Sequence, residues 1–234
     1  MVLPDEYQQR TGMPGVADFR IGLNNGPRTA LVQFASGDGA LVPVFPGFLT
    51  QLTMREGELV DVAFEPSSND GRYGEWLAQA DRLRTLRAAA AAATRDGRFR
   101  LDAAGALKLA SQMQYSKALD PSLAIYAAYA YDGLQERDRL RSMVPYLHGD
   151  LGRVPFDVLL LSGEIRGRAI DRGVPVVPFV PLMAQGWAQL SAHRVQLPAR
   201  ADGLDRRLRD SPWALYDAEG VVVIEDILLR REVW

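Results

Sequence analysis

The sequence predicts an α+β protein in which a small antiparallel β unit is followed by a bundle of helical hairpins and then by a C-terminal β-hairpin. Apolar and polar residues alternate with a period of two between Phe19 and Phe64, as in half-buried strands. Beyond residue 71, apolar residues recur at helical spacing instead. We therefore predict an antiparallel β domain at 1–70, a helical-hairpin domain at 71–194, and a connector with a hairpin at 195–234.

Two hairpins are predicted in the first domain. Residues 29–34 and 40–45 flank the glycine-rich turn Ser-Gly-Asp-Gly, and residues 48–54 and 59–64 flank Arg-Glu-Gly-Glu. The resulting four or five antiparallel strands are enough for a small sandwich or barrel. Acidic residues outnumber arginines in this domain.

A turn-rich stretch at 66–71 precedes a long predicted helix that runs from Tyr73 to about Thr94 and contains an alanine run. At 100° per residue, Arg84, Arg87 and Arg95 fall opposite its apolar side. Three interpretations of this arginine face remain open. It is a solvated helix surface, it docks on the acidic β domain of the same chain, or it binds an acidic partner or nucleic acid.

The stretch that follows carries the clearest helix signal in the chain. Asp120 is a predicted N-cap and Pro121 fits the first helical position. Tyr126 belongs to the predicted buried stripe, and Tyr129 and Tyr131 lie on either side of it. Exposed tyrosines are frequent anchors in protein recognition, so we predict that these tyrosines bind a partner. The alternative is that they pack against a neighbouring helix or the C-terminal hairpin.

The apolar pattern restarts at Pro155, with a shift of roughly 35 residues that is typical of helix-turn-helix repeats. The small-aromatic run at 126–130 resembles a tetratricopeptide helix. The alternative is an irregular helical bundle. Pro145 interrupts a second stripe and predicts a kink or a fresh helix there. At the C-terminus, residues 213–216 and 221–224 predict the closing hairpin.

Composition excludes several classes of function. The 234 residues carry a net charge of −2, which argues against a general nucleic-acid or anionic-membrane binder. The sequence has no cysteine, which excludes disulfides, thiolate zinc sites and cysteine nucleophiles. The N-terminus lacks a secretory pattern, and the longest apolar run is short and broken by prolines. We therefore expect a cytoplasmic protein that does not enter the membrane.

The sequence shows no catalytic or metal-binding signature. His148 lies beside Asp150 and within reach of Asp157, so a histidine-carboxylate hydrolase is one alternative. Its nucleophile would be Ser142 or Ser162, and neither lies in a G-x-S-x-G elbow. The two histidines are not at metal-ligand spacing. We predict no catalytic residue, no metal site and no cofactor.

Three segments resemble the non-catalytic region that accompanies bacterial caspase-like peptidases. They read LAIYAAYAYDGLQERDRLRSMVPYLHGDLGRVPFDVLLLSGEI, VPFVPLMAQGWAQL and SPWALYDAEGVVVIEDIL. Such peptidases use a histidine-cysteine dyad, and this chain has no cysteine, so no catalytic residue is carried over. The resemblance implies an accessory role in bacterial defence or stress signalling, with a caspase-like peptidase or its substrate as partner.

The expected function is therefore non-enzymatic protein recognition through the helical surface. The predicted partner-binding residues are Tyr126, Tyr129, Tyr131, Arg84, Arg87 and Arg95. The alternatives are the His148 hydrolase and a nucleic-acid binder that uses the arginine face.

Overall fold

A computed structural model of the chain describes residues 7–11, 17–21, 26–95, 98–101, 105–171 and 173–230. The predicted α+β class is confirmed. The strands are β1 (Tyr7–Thr11), β2 (Ala17–Ile21), β3 (Arg28–Gln33), β4 (Gly39–Val44), β5 (Phe48–Arg55), β6 (Glu58–Pro66), β7 (Thr94–Arg95), β8 (Arg98–Phe99), β9 (Val154–Pro155) and β10 (Val176–Val177). The helices are α1 (Tyr73–Ala92), α2 (Ala106–Tyr115), α3 (Pro121–Gly133), α4 (Arg137–Leu151), α5 (Phe156–Ser162), α6 (Gln189–His193) and α7 (Ala218–Leu229).

The strands pair two by two. β3 pairs antiparallel with β4, and β5 with β6, so both predicted hairpins of the first domain are confirmed. β1–β2 and β7–β8 are also antiparallel, whereas β9–β10 is parallel. The register of β5–β6 shifts between Thr53 and Met54. Exposed and half-buried residues alternate along β5 after the buried Phe48, and the hairpin packs against α1 and α3 through β6.

Helix α3 lies at the centre of the molecule. The Asp120 side chain accepts a hydrogen bond from the Ser122 backbone N–H and Pro121 takes the first helical position, as predicted. Eleven of its 13 residues are buried, because α3 packs against α1, α2, α4, α5 and β6. A helix covered on nearly every side needs no polar face, which explains its small alanine-rich sequence.

Helix α4 continues through Pro145, so the break predicted there does not divide it into two helices. Its buried positions are Leu140, Met143, Leu147 and Leu151, and Pro145 is exposed. Helix α5 has only 7 residues, and the tetratricopeptide-like repeat is not confirmed. No helix among the described residues is both long enough and apolar enough to cross a bilayer.

The predicted C-terminal hairpin is wrong. Residues 221–224 belong to α7, whose N-terminus is capped by Asp217, which accepts a hydrogen bond of 2.8 Å from the Gly220 N–H. Val221, Ile224 and Leu228 are buried at helical spacing. The β-branched run suggested a strand, but the cap and the buried stripe favour the helix, because tertiary packing overrides intrinsic propensity.

The C-terminal segment closes on the first strands. Tyr216 and Gly39 exchange two backbone hydrogen bonds of 2.8 and 2.9 Å, and α7 packs on β3 and β4. A Cβ atom at Gly39 would lie 2.7 Å from the side chain of Val221, so the close approach requires glycine. Buried side chains from all three predicted segments join one apolar cluster, and the boundaries at 70 and 194 stay a prediction.

Candidate functional site

Tyr126 is buried, as its place in the predicted stripe indicated, but Tyr129 and Tyr131 are buried as well and are not the exposed anchors that the sequence suggested. Tyr126, Tyr129 and Tyr131 are 2%, 9% and 0% exposed. The Tyr126 hydroxyl accepts a hydrogen bond from the indole of Trp213 at 3.2 Å, and the Tyr131 hydroxyl donates to Gln114 Oε1 at 2.6 Å. Neighbouring elements cover α3 on nearly every side, so its tyrosines belong to the core, as the alternative interpretation proposed.

The hydroxyl of Tyr129 donates to a carboxylate that is fully buried. It lies 2.6 Å from Asp157 Oδ1, and Asp157 also accepts from the backbone N–H groups of Leu182 (2.7 Å) and Met183 (3.1 Å). Burial raises the pKa of Asp157, and these hydrogen bonds oppose the rise. Asp157 therefore anchors the loop at 182–183 to α3 and α5.

The structure does not bring His148 and Asp157 together. His148 is exposed on α4, and its side chain makes no hydrogen bond or ion pair with another described residue. Asp157 is committed to the three donors already named. The hydroxyl of Ser142 donates to the carbonyl of Arg139 in its own helix. These positions give the His148 hydrolase no geometric support, and the absence of enzyme activity stays a prediction.

The predicted arginine face is divided. Arg84 is exposed and pairs with Asp81 of its own helix at 2.7 Å. Arg87 is mostly buried and lies 3.6 Å from both Glu65 and Asp120. The interpretation that this face docks on the acidic β domain is therefore correct for Arg87, because Glu65 belongs to β6. The side chain of Arg95 lies outside the described part of the chain.

Arg87, Glu65 and Asp120 form a buried joint between β6, α1 and α3, here called the Arg87 joint. Asp120 is 1% exposed and accepts hydrogen bonds from the Phe64 N–H at 3.2 Å and from the Ser122 N–H and hydroxyl. Its Oδ2 faces the Arg87 guanidinium. Burial raises the pKa of Asp120 to about 6, although the Ser122 hydrogen bonds and Arg87 oppose the rise.

A second arrangement of charges is open to solvent. The C-terminal ends of α3, α5 and α6 meet the start of α4 around a cleft of about 460 Å³, here called the arginine cleft. Its polar lining consists of Asp132, Arg137, Arg141, Ser162, Glu164, Arg166 and His193.

His193 is the most unusual residue of the arginine cleft. It is the last residue of α6 and only 9% exposed, and its Nδ1 has no hydrogen-bond partner among the described residues. Its backbone carbonyl accepts from the Gly167 N–H at 2.9 Å, which holds the turn after α5 beside it. Burial and then Arg166 lower the pKa of His193, while Asp132 opposes them. The imidazole is therefore neutral at pH 7.

The arginines of the cleft lack strong partners in the described part of the chain. Arg137 and Arg166 form no ion pair there, and Arg141 comes only within 3.9 Å of Asp138. Glu136, which precedes α4, makes no side-chain capping hydrogen bond. The partial positive charge of this helix start adds to the charge of Arg137 and Arg141, and Asp138 in the first turn opposes it.

The negative side of the cleft consists of Asp132 and Glu164. Burial raises the pKa of Asp132, while His193 and Arg137 oppose the rise. Ser162 Oγ donates to the Leu159 carbonyl of its own helix at 3.2 Å, so this hydroxyl is engaged locally. The cleft is thus a charged pocket with free guanidinium donors, and it has the chemistry of a site that binds anions.

Sequence reasoning missed this cleft. It considered His148 as the histidine of interest, whereas the structure places His193 among charged groups. The lining residues come from four separate helices and one turn, and no local spacing joins them. Because these residues form no sequence motif, the sequence contains no signal that they lie together.

No family model matches the chain, and no curated protein or solved structure matches it at a significant level. The resemblance to the accessory region of caspase-like peptidases therefore stays a prediction.

Proposed function

We propose that this chain is a cytoplasmic, non-enzymatic recognition module whose arginine cleft receives an anionic group of a protein partner. The observation that carries the proposal is that Arg137 and Arg166, which have no ion-pair partner among the described residues, lie in one cleft with the nearly buried His193.

Guanidinium groups favour this role. Their planar forks bind carboxylates and phosphates through two parallel hydrogen bonds. An arginine already paired within the chain, such as Arg87, has fewer donors left for a ligand. Arg137 and Arg166 keep theirs. The volume of about 460 Å³ is within the range of sites that bind small groups and side chains.

Two exposed tyrosines support a protein as the partner. Tyr115 at the end of α2 is 79% exposed and Tyr146 on α4 is 63% exposed. Lys117 Nζ lies 5.1 Å from the centre of the Tyr146 ring. Exposed tyrosines next to a cation are favourable contact points for another protein. Arg137 and Tyr146 are nine residues apart on helix α4 and point to opposite sides of it at 100° per residue, so the exposed tyrosines form a second contact surface beside the arginine cleft.

The sequence resemblance suggests the first partner to test. A caspase-like peptidase or its substrate would present an acidic segment to the arginine cleft, in a defence or stress response. This assignment rests on the resemblance alone.

The proposal is tested by affinity capture from a lysate of the source organism and with a purified caspase-like peptidase. Three tagged proteins are compared: the wild type, Arg137→Ala/Arg166→Ala, and the charge-matched control Arg82→Ala/Arg84→Ala on the exposed side of α1. We expect at least one protein that the wild type and the control retain equally and that the cleft variant retains at least about tenfold less, since each lost charged contact costs about 1.5 to 3 kcal/mol. The same captured proteins at the same levels in all three would overturn the proposal.

A further inference from the structure

We propose that the arginine cleft binds a doubly charged oxyanion, such as the phosphoryl group of a phosphorylated side chain, and that His193 takes up a proton as the anion binds. This inference rests on the proposed function, since it names the anionic group that the partner presents.

The number and origin of the cations favour a dianion over a single carboxylate. Arg137 and Arg141 come from the first two turns of α4, and Arg166 comes from the turn after α5. A phosphoryl group has three terminal oxygens, so it can accept hydrogen bonds from the guanidinium groups of both segments together. A carboxylate has two oxygens and pairs fully with one guanidinium.

The surroundings of His193 explain why it should take up a proton when an anion binds. Its buried Nδ1 has no partner among the described residues. The charged groups that face it from the packed elements are Asp132 of α3, Arg137 and Arg141 of α4, and Glu164 and Arg166 after α5. With the cleft empty, burial and Arg166 keep the imidazole neutral. A bound dianion offsets the arginine charges, so the protonated imidazole becomes the favoured form.

The chain contains its own control for this effect. It has two histidines, and His148 is exposed on α4 with no side-chain partner among the described residues. Both imidazoles are followed by long-range ¹H–¹⁵N NMR through a pH titration, with and without sodium sulfate at matched ionic strength. Sulfate is the probe because it remains a dianion throughout the range in which histidine titrates. His193→Gln assigns the two sets of signals.

We expect sulfate to raise the titration midpoint of His193 by about one pH unit or more, because an opposite charge at contact distance changes a pKa by about 1 to 3, and we expect no such response in the signals of His148. By linkage, acidification across the two midpoints of His193 then increases sulfate affinity about tenfold for every pH unit between them. An equal change at both histidines, or a saturable change at neither, would overturn the proposal.

Two further arms test the ligand class. In Arg137→Ala/Arg166→Ala, sulfate should no longer shift the titration midpoint of His193. A shift as large as in the wild type would show that sulfate does not bind in the arginine cleft. Acetate at the same ionic strength should move the His193 midpoint less than half as far as sulfate. An equal effect of acetate would show that a single carboxylate is the ligand and would contradict the proposal.

A phosphoserine peptide and inorganic phosphate then distinguish the two sources of a phosphoryl group. Tighter binding of the peptide than of phosphate supports a phosphorylated partner, and tighter binding of phosphate contradicts it. The two proposals can fail separately. If sulfate binds with proton uptake at His193 but no protein is captured through the cleft, only the proposed function is refuted. If a protein is captured through the cleft but sulfate does not affect His193, only the proposal of a dianionic ligand is refuted.

Discussion

Arg87 and Arg137 are both helical arginines near carboxylates, yet the chain uses them differently. Arg87 is mostly buried, and Glu65 and Asp120 lie 3.6 Å from it, so its charge is compensated within the fold. Arg137 faces an open cleft and has no ion-pair partner in the described part of the chain. A buried charge without a partner costs several kcal/mol, whereas a solvated one costs little. The ion pairs of the Arg87 joint therefore stabilise the fold, whereas the unpaired Arg137 in the arginine cleft keeps its hydrogen-bond donors for a ligand.

The same contrast holds for other polar groups of the two regions. Asp157, which joins α3 and α5 to the loop at 182–183, accepts three hydrogen bonds from the chain itself. His193, which is nearly as buried, keeps one nitrogen without a partner among the described residues. Substitutions should therefore change stability in the interior and ligand binding in the cleft.

The largest expected effect is that of Arg87→Ala. Removing the guanidinium leaves Asp120 as a buried carboxylate without a counter-charge, which should lower the free energy of unfolding by about 3 to 5 kcal/mol. Urea denaturation monitored by circular dichroism measures the change. Arg84→Ala, which removes an exposed arginine from the same helix, is the control and should change stability by less than about 0.5 kcal/mol. Similar losses for the two variants would break the comparison.

Tyr129→Phe should have the next largest effect. It removes one hydrogen bond to the buried Asp157 carboxylate and should cost about 2 to 3 kcal/mol of unfolding free energy. Thermal and urea unfolding measure the loss. Tyr115→Phe removes the same hydroxyl from a side chain that is 79% exposed and should leave stability unchanged. A Tyr129→Phe protein as stable as the wild type would show that Asp157 does not need this donor.

Stability should also depend on pH through Asp120. Its pKa in the folded protein, about 6, lies above the ordinary value of 3.8 for an aspartic acid, so the carboxyl contributes stability when protonated, and that contribution is lost as pH rises through 6. Asp120→Asn has no proton to lose at this position. We compare the free energy of unfolding of Asp120→Asn with that of the wild type at each pH. The variant minus wild-type difference should be about 2 kcal/mol more positive at pH 7.5 than at pH 4.5.

The comparison between Asp120→Asn and the wild type cancels the other titrating groups around this carboxyl, which are Asp61, Glu65, Arg87 and Tyr126. Urea denaturation curves at the two pH values give the difference. An unchanged difference between pH 4.5 and pH 7.5 would show that Asp120 does not titrate in this range.

The smallest expected change in stability is that of Arg137→Ala/Arg166→Ala, at less than about 0.5 kcal/mol, because both side chains are exposed and unpaired in the described part of the chain. The same variant should lose the sulfate response of His193. Thermal unfolding measures the stability, and the NMR titration with sulfate measures the response. A large loss of stability without ligand would show that the cleft arginines serve the fold as Arg87 does.

Local signals predicted local structure well. The hairpins β3–β4 and β5–β6 and the Asp120–Pro121 start of α3 follow from turn residues, alternation and capping, which act over a few residues. The C-terminal hairpin was predicted wrongly, because the β-branched run at 221–224 favours a strand until the cap at Asp217 and the buried face of α7 are considered. Packing against β3 and β4 cannot be read from that run alone.

The site was harder to predict than the fold. Periodicity marks one apolar face, so it placed Tyr129 and Tyr131 outside the buried stripe of a helix that is in fact covered on nearly all sides. Arg87 and Arg84 look alike in the sequence, and only the position of β6 makes one of them buried. The residues of the arginine cleft come together solely through the packing of α3 to α6, which no sequence spacing records.

The closure of the C-terminal segment on β3 and β4 has a consequence for synthesis on the ribosome. Gly39 and its neighbours emerge early, but Tyr216 and α7, which hydrogen-bond to and cover them, are translated near the end of this sequence. Until then the apolar side of the β3–β4 hairpin has no cover from α7, and a lone hairpin is marginal in water. In the nascent chain, this apolar surface is therefore prone to aggregation until translation reaches α7.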